Sequence, residues 1–181
     1  MSLSTQSKKS KKTDLRQLII FALLGVIMFL SKILMEALPN VHLLGALTIT
    51  YTLVYRWRAL IPIYIYVFLN GLFAGFDAWW VPYIYIWTVL WAAAMLLPKK
   101  MPKPLACVIF PLLCALHGAV FGILYAPAWA IIMKLDFKET IAWVIAGVPF
   151  DVMHIVGNTV AGLLIFPLSE LLKRLESRYR R

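Results

Sequence analysis

Long apolar runs separated by short polar breaks are the feature that most limits how this chain can fold. Residues 18–30 contain no charged or strongly polar side chain, and five further runs of similar character follow. Hydrophobic residues make up 62% of the 181 residues and charged residues 14%, which is too apolar for an ordinary soluble domain. A bilayer-spanning helix needs about 20 apolar residues. We therefore predict an all-α membrane protein with six transmembrane helices in one compact bundle.

Prolines, glycines and charge clusters mark the ends of these runs. The predicted spans are 14–36, 39–55, 59–76, 79–97, 105–125 and 140–172. The second span is the shortest, and the connection 126–139 has room for a short interfacial helix. The predicted domain division is a basic tail at 1–13, a substrate-binding transmembrane domain at 14–175 and a second basic tail at 176–181.

Basic residues concentrate on one side of these predicted spans. Fifteen of the 18 Lys and Arg residues fall on one side, before span one and after spans two, four and six. The positive-inside rule assigns that side to the cytoplasm, so both termini are predicted to be cytoplasmic in a multi-pass plasma-membrane protein. The net charge of +10 is then explained by topology and by attraction to anionic lipid. We predict no nucleic-acid partner.

Span six carries three polar side chains on one predicted helix face. Asp151, His154 and Asn158 are spaced i, i+3 and i+7. Ionisable groups inside a lipid-embedded helix are costly and normally face a cavity, a partner or a pathway. The spacing therefore predicts an internal polar site, and the position of Asp151 in the outer half of the span or near its midplane suggests that the site opens to the exterior.

Other spans and one loop add candidates for the same pocket. The predicted substrate-binding residues are Asp151, His154, Asn158, His117, Asn70, Trp79, Trp80, Tyr83 and His42. Alternatives remain open for several of them: the tryptophans suit an interfacial belt, His117 an interhelical hydrogen bond, and Asp151 a structural pair. Lys32 and Glu36, four residues apart, suit an exposed helix pair. No metal site or catalytic residue is predicted.

Small residues near the cytoplasmic end of span one suggest a surface for another membrane protein. Ala22 and Gly25 are three residues apart, and small side chains let helices approach closely in lipid. We predict that they form a docking face.

The chain resembles the substrate-binding S components of energy-coupling factor (ECF) vitamin transporters. The resemblance lies in the length, the six spans with both termini inside, and the segments Phe21-Ala-Leu-Leu-Gly-Val26 and Ala37-Leu-Pro-Asn-Val-His-Leu-Leu-Gly-Ala46. It implies a non-catalytic binder of one water-soluble vitamin that works with a transmembrane coupling subunit and two cytoplasmic ATPases. ATP would be used only by those partners, and no covalent cofactor is implied. The family's Ala-x-x-x-Ala docking pattern on span one corresponds here to Ala22 and Val26.

The sequence limits the chemical class of the ligand but does not identify it. Spans four to six carry no Arg or Lys away from their cytoplasmic ends, which disfavours bidentate recognition of phosphate or carboxylate. Neutral or cationic aromatic ligands fit better, as does a large corrinoid. We favour cobalamin, because the first outer connection is short and a bulky ligand needs an open mouth.

Two other functions remain open from the same residues. An intramembrane enzyme would use Asp151 and His154 as an acid–base pair, or would add His117 as a metal ligand. A structural subunit of a membrane complex would use the polar groups only for packing.

Overall fold

A computed structural model describes residues 15–38 and 41–179, and every regular element within them is helical. The eight α-helices are α1 (Leu15–Leu34), α2 (Leu44–Tyr55), α3 (Leu60–Ala74), α4 (Tyr83–Met95), α5 (Lys103–Ala119), α6 (Phe121–Met133), α7 (Phe137–Gly162) and α8 (Ile165–Tyr179). Short 3-10 turns precede α3 and α4. The predicted N-terminal tail lies outside the described residues, and so do the last two residues of the predicted C-terminal tail.

Five helical stretches in this part of the chain are long and apolar enough to cross a membrane. They are Leu15–Leu34, Leu44–Ala74, Ala78–Met95, Lys103–Met133 and Phe137–Gly162. The prediction of an all-α protein with membrane-spanning helices is confirmed at this level.

α1 packs antiparallel to α2. The ring of Phe21 meets that of Tyr55 at 5.1 Å between centroids, and the Tyr51 hydroxyl donates to the carbonyl of Leu24 at 3.2 Å. Residue numbers therefore rise along α1 as they fall along α2.

α1 packs parallel to α3. Gly25 lies against Ile65, and further along both helices the ring of Phe29 meets Phe73 at 5.5 Å between centroids. Because α2 runs against α1 and α3 runs with it, the stretch Leu44–Ala74 reverses direction within itself. The reversal occurs at Arg56, whose φ of 56° is uncommon outside glycine.

α5 and α7 form the most extensive helix pair of the fold, and they are also antiparallel. Gly162 sits against Pro111, the Asn158 amide reaches the carbonyl of Cys114, and Asp151 reaches the amide of residue 122 just beyond α5. A Cβ on Gly162 would come within 2.5 Å of the Pro111 Cα, so the two backbones approach as closely as small residues permit.

α2 is the central helix, and it is short. Residues 44–52 are all buried, without the alternation of an amphipathic helix. Its 12 residues rise only about 18 Å, against a hydrocarbon core of about 30 Å. The prediction started this helix at residue 39, but it begins at Leu44. The connection that includes residues 41–43 therefore enters the bundle above the start of α2, where it helps to form a cavity.

The last predicted span is two helices rather than one. α7 ends at Gly162, and α8 begins at Ile165. Pro167 lies in the first turn of α8, where a proline is tolerated because the N–H that it lacks would have no partner within that helix. At the other end α7 begins at Phe137, since Asp136 and Glu139 form a reciprocal capping box.

The connection predicted at 126–139 is also largely helical. α6 follows α5 after a break at Val120 and continues to Met133, so residues 126–133 belong to a regular helix. Lys134, with φ of 57°, ends it in the left-handed conformation typical of a helix C-terminus.

Basic residues from distant parts of the chain meet at one end of the bundle. Arg58 donates to Gln17 at 2.7 Å, next to Arg16, and Arg56 donates to the carbonyl of Met95 at 2.6 Å, just before the lysines at 99 and 100. The opposite end holds the cavity above α2.

Candidate functional site: a histidine and aromatic cavity

A cavity of about 180 Å³ opens at the end of the bundle where α1 finishes and α2 starts. It takes side chains from α1, the α1–α2 connection, α4, α6 and α7. Its lining consists of Lys32, Met35, Glu36, Leu38, Val41, His42, Tyr83, Phe121 and His154. The wall is thus mostly apolar and aromatic with a few polar groups, the usual composition of a small-molecule site.

The three histidines of the chain come together around this cavity, although they are far apart in sequence. His42 and His154 lie in its wall with ring centroids 5.5 Å apart. His154 also faces Phe121 at 4.5 Å. His117 lies behind that wall, 6.0 Å from the Phe121 ring. The structure thus brings together three of the residues nominated from the sequence, and their role in binding a ligand stays a prediction.

Trp87 joins the aromatic side chains behind the cavity. Its ring lies 5.7 to 6.2 Å from five other rings: those of His42, Tyr66, Tyr83, His117 and Phe121. Most of these pairs are edge-to-face, an arrangement favoured by the ring quadrupoles. The site is therefore held by a packed aromatic frame.

Several buried polar atoms in and around this frame have no hydrogen-bond partner in the described structure. They are Nδ1 of His42, Nδ1 of His154, the Tyr66 hydroxyl, Nε1 of Trp87 and both amide atoms of Asn70. An unpaired buried polar group costs about 1–3 kcal/mol, so native proteins usually supply a partner. Ordered water or a polar ligand would remove that cost here.

His42 is held in its neutral form. Burial, reinforced by the neighbouring His154, lowers the pKa of the His42 imidazole from 6.5 to about 3. A neutral imidazole offers one donor and one acceptor, so at neutral pH this wall presents both kinds of hydrogen-bonding group.

Asp151 binds a helix terminus. Its Oδ1 accepts from the backbone N–H of Gly122 at 3.0 Å, in the first turn of α6. The distance from the same oxygen to Nδ1 of His154 is 3.9 Å, too long for a hydrogen bond. Asp151 does not line the cavity, and its carboxylate satisfies an amide that α6 itself leaves unpaired. This arrangement matches the structural role that the sequence left open.

Asn158 joins α7 to α5. Its Nδ2 donates to the carbonyl of Cys114 at 3.1 Å, and Gly45 and Gly118 give it space on either side. Asn158 is outside the cavity lining, one helical turn below His154. Its position fits helix packing better than direct ligand contact.

The three predicted residues of the α4 region occupy different environments. Tyr83 lines the cavity. The ring of Trp79 lies 5.6 Å from that of Tyr83, and Trp79 is not part of the cavity lining. Trp80 turns to α3, where its indole N–H donates to the carbonyl of Val67 at 2.8 Å. The structure therefore places Tyr83 in the site, Trp79 beside it and Trp80 in a helix–helix contact.

His117 and Asn70 are buried in the bundle and do not line the cavity. The Nε2 of His117 is 3.2 Å from the carbonyl of Ile86, an interhelical contact between α5 and α4. Asn70 is fully buried on α3, and neither amide atom has a hydrogen-bond partner among the described residues. His117 thus takes the interhelical role left open by the sequence, while it remains part of the aromatic frame.

Some cavity and frame residues were absent from the predicted set, but helical spacing would have found several. Phe121 is four residues after His117, Trp87 four after Tyr83, and Tyr66 four before Asn70. Lys32 and Glu36, predicted as an exposed pair, line the cavity at the end of α1.

The predicted docking pair on α1 is also separated. Ala22 is exposed, but Gly25 is buried, and a Cβ there would lie 2.5 Å from the Ile65 side chain. Gly25 is a contact to α3, so its assignment to an external docking face is wrong. Val26, four residues after Ala22, is exposed instead, as expected for residues on one helix face.

The described residues contain no cluster of three His, Cys, Asp or Glu side chains arranged to hold a metal ion. Comparison of the chain with family models, curated proteins and solved structures finds no match.

Proposed function

We propose that this protein is the membrane-embedded substrate-binding subunit of an ECF-type importer, which captures a water-soluble vitamin or related micronutrient. The observation that carries the proposal is the cavity above α2, where His42 and His154, each with an Nδ1 that has no partner among the described residues, line the same wall as the rings of Tyr83 and Phe121. Such a site can bind a small molecule by hydrogen bonding and stacking.

The topology required by this function is six crossings with both termini in the cytoplasm. Five apolar stretches are long enough to span a membrane; a sixth crossing would require that the reversal at Arg56 divide Leu44–Ala74 into two short passes. The basic end of the bundle would be cytoplasmic, and the cavity would open to the exterior. The transmembrane coupling subunit and two ATPases would be the partners, and would supply the energy for release.

The size of the cavity bears on the ligand. About 180 Å³ is below the usual 300–1,000 Å³ of drug-sized sites, and suits a molecule of one or two rings. A corrinoid is several times larger, so cobalamin would have to rest across the mouth, beside Lys32 and Glu36. We therefore place small heteroaromatic vitamins ahead of cobalamin and keep both in the test.

The test is equilibrium titration of the detergent-purified protein with a panel that includes thiamine, riboflavin, biotin and cobalamin, together with mass spectrometry of co-purified small molecules. We expect stoichiometric binding of one compound without chemical change. His154→Ala and Phe121→Ala should each weaken that binding at least tenfold, about 1.4 kcal/mol.

Phe137→Ala is the matched control, because Phe137 is 83% exposed at the start of α7 and does not line the cavity. It should leave the affinity unchanged. Conversion of the bound compound would support an enzyme instead. Absence of any bound or titrated ligand, with the protein folded, would contradict the proposal and favour a structural subunit.

A further inference from the structure

A second cavity lies at the basic end of the bundle, at the opposite end of α2 from the histidines. Its volume is about 170 Å³. It is bounded by the end of α2, the α4–α5 connection, the first turns of α5, and α8. The residues that line it are Leu53, Pro98, Lys99, Lys100, Met101, Ala106, Phe110, Phe166, Ser169, Glu170 and Lys173.

The charge of this lining is strongly positive at the rim. Lys173 donates to Glu170 at 2.8 Å, which neutralises that pair locally. Lys99 and Lys100 are exposed, and within the described residues no carboxylate lies within ion-pair distance of either. Two uncompensated ammonium groups therefore stand at the mouth.

The start of α5 adds to the positive electrostatic potential at the rim of this cavity. The helix begins at Lys103 after Pro102, and no side chain of the described residues caps it. Pro104 has no N–H and the Ala106 amide donates to the carbonyl of Pro102, so the first turn offers at most the amides of Lys103 and Leu105 together with the helix dipole, which favour an anion. The Lys103 ammonium lies 5.9 Å from the centre of the Phe166 ring, so its charge is also held near the cavity wall.

The inner wall of the cavity has a different character. Leu53, Ala106, Phe110 and Phe166 supply an apolar surface that a free phosphate ion would leave unused. Cations at the rim with an apolar wall beneath complement a molecule with an anionic head and hydrocarbon chains. Basic pockets between helices at the cytoplasmic face bind anionic lipid headgroups in this way.

We propose that this cavity is a binding site for part of an anionic phospholipid, with the phosphate beside Lys99 and Lys100 at the rim and the first carbons of an acyl chain against Phe110 and Phe166, while the rest of the lipid lies outside the cavity. The site would fix the α4–α5 connection and α8 to the membrane surface. It depends on the chain lying in a bilayer, and is independent of what the histidine cavity binds.

The experiment is native mass spectrometry of the full chain in detergent, titrated with dioleoyl phosphatidylglycerol and separately with dioleoyl phosphatidylcholine. We expect the wild type to retain one phosphatidylglycerol in preference to phosphatidylcholine. Lys99→Gln with Lys100→Gln should weaken phosphatidylglycerol retention at least fivefold. Lys134→Gln with Lys138→Gln removes the same charge at the other end of the bundle and should have no effect.

Equal retention by the Lys99/Lys100 double variant and the control pair would overturn the proposal. Glycerol 3-phosphate is the competitor that separates a lipid from a free phosphate, and we expect it not to displace the lipid. Displacement at similar concentration would mean that the headgroup alone binds, which also overturns it. Should the double variant fail to fold, Lys99→Gln alone gives the same comparison with the same control. The vitamin titration should be unaffected, so the two proposals fail separately.

Discussion

Asp151 shows how the environment of a single residue decides its role. A carboxylate within a long apolar helix suggested a ligand contact, yet its oxygen accepts from the Gly122 amide at 3.0 Å. Gly122 must be small for this contact, because a Cβ there would lie 2.6 Å from the other carboxylate oxygen. Asp151 therefore fixes the start of α6, and through it the position of Phe121 in the cavity wall.

Replacing Asp151 should separate this structural role from ligand contact. Asp151→Ala leaves the Gly122 amide without an acceptor and should lower stability by about 1–2 kcal/mol. Asp151→Asn keeps a carbonyl oxygen and should lose less. Thermal unfolding in detergent measures both. Weaker ligand binding in the alanine variant at unchanged stability would instead make Asp151 a contact residue.

His42 makes stability depend on pH. Its pKa in the folded protein is lowered from 6.5 to about 3, so protonation opposes folding. The stabilisation is complete above the unfolded value and is lost as pH falls from about 6.5 towards 3. Between about pH 7.5 and about pH 5 the loss should be about 2 kcal/mol.

The control for this prediction is His42→Gln, which removes the titrating group and keeps a polar side chain. Unfolding midpoints in detergent at the two pH values should fall less for the variant than for the wild type. The charged and titratable groups that act on His42 or line the same cavity remain in both proteins: Lys32, Glu36, Tyr83, His117 and His154. Equal falls would show that His42 is not the group responsible.

At the level of helices, α1 has two faces with different tasks. Gly25 lies against Ile65 on α3, while Ala22 faces outward with a row of exposed apolar side chains. A single span thus combines tight packing with a surface that the bundle leaves open, which fits a docking role for the Ala22 face alone.

Matched substitutions on α1 test this division. Gly25→Leu should force α1 away from α3 and cost about 1–3 kcal/mol in stability. Ala22→Leu should leave the unfolding midpoint unchanged but prevent co-purification with the proposed coupling subunit. If Ala22→Leu still assembles normally, the docking face lies elsewhere. If Gly25→Leu is as stable as wild type, the close α1–α3 contact is wrong.

The sequence predicted most helices because hydropathy and breaks are local properties. The start of α7 was also predictable, since Asp136 and Glu139 have the spacing of a capping box, although the prediction began the span at residue 140. The contact between Asp151 and Gly122 was not, because it joins residues 29 positions apart. The cavity depends on such contacts, so the histidines could be nominated but their roles could not be separated.

At the scale of the whole molecule, the two ends of the bundle differ in chemistry. The end with Arg56, Arg58 and Lys99 is basic, and the other holds the histidine cavity above α2. The short central helix links the two, since its late start leaves space for the cavity and its last turn borders the second cavity. A basic end opposite the end that holds the cavity is the arrangement expected if the protein is the proposed importer subunit with an outward-facing site.

The sidedness of these ends decides whether the proposed importer can work. In a chain with Cys107→Ser and Cys114→Ala, we expect a membrane-impermeant maleimide to label Lys134→Cys in intact cells and Lys99→Cys only after permeabilisation. Lys134 and Lys99 are both exposed, so access to each depends on the membrane rather than on burial. The reverse pattern would open the histidine cavity to the cytoplasm, and capture from outside would be wrong. Labelling of both sites in intact cells would mean that Lys103–Met133, the only candidate span between them, does not separate the two sites, and the six-crossing topology would then be wrong.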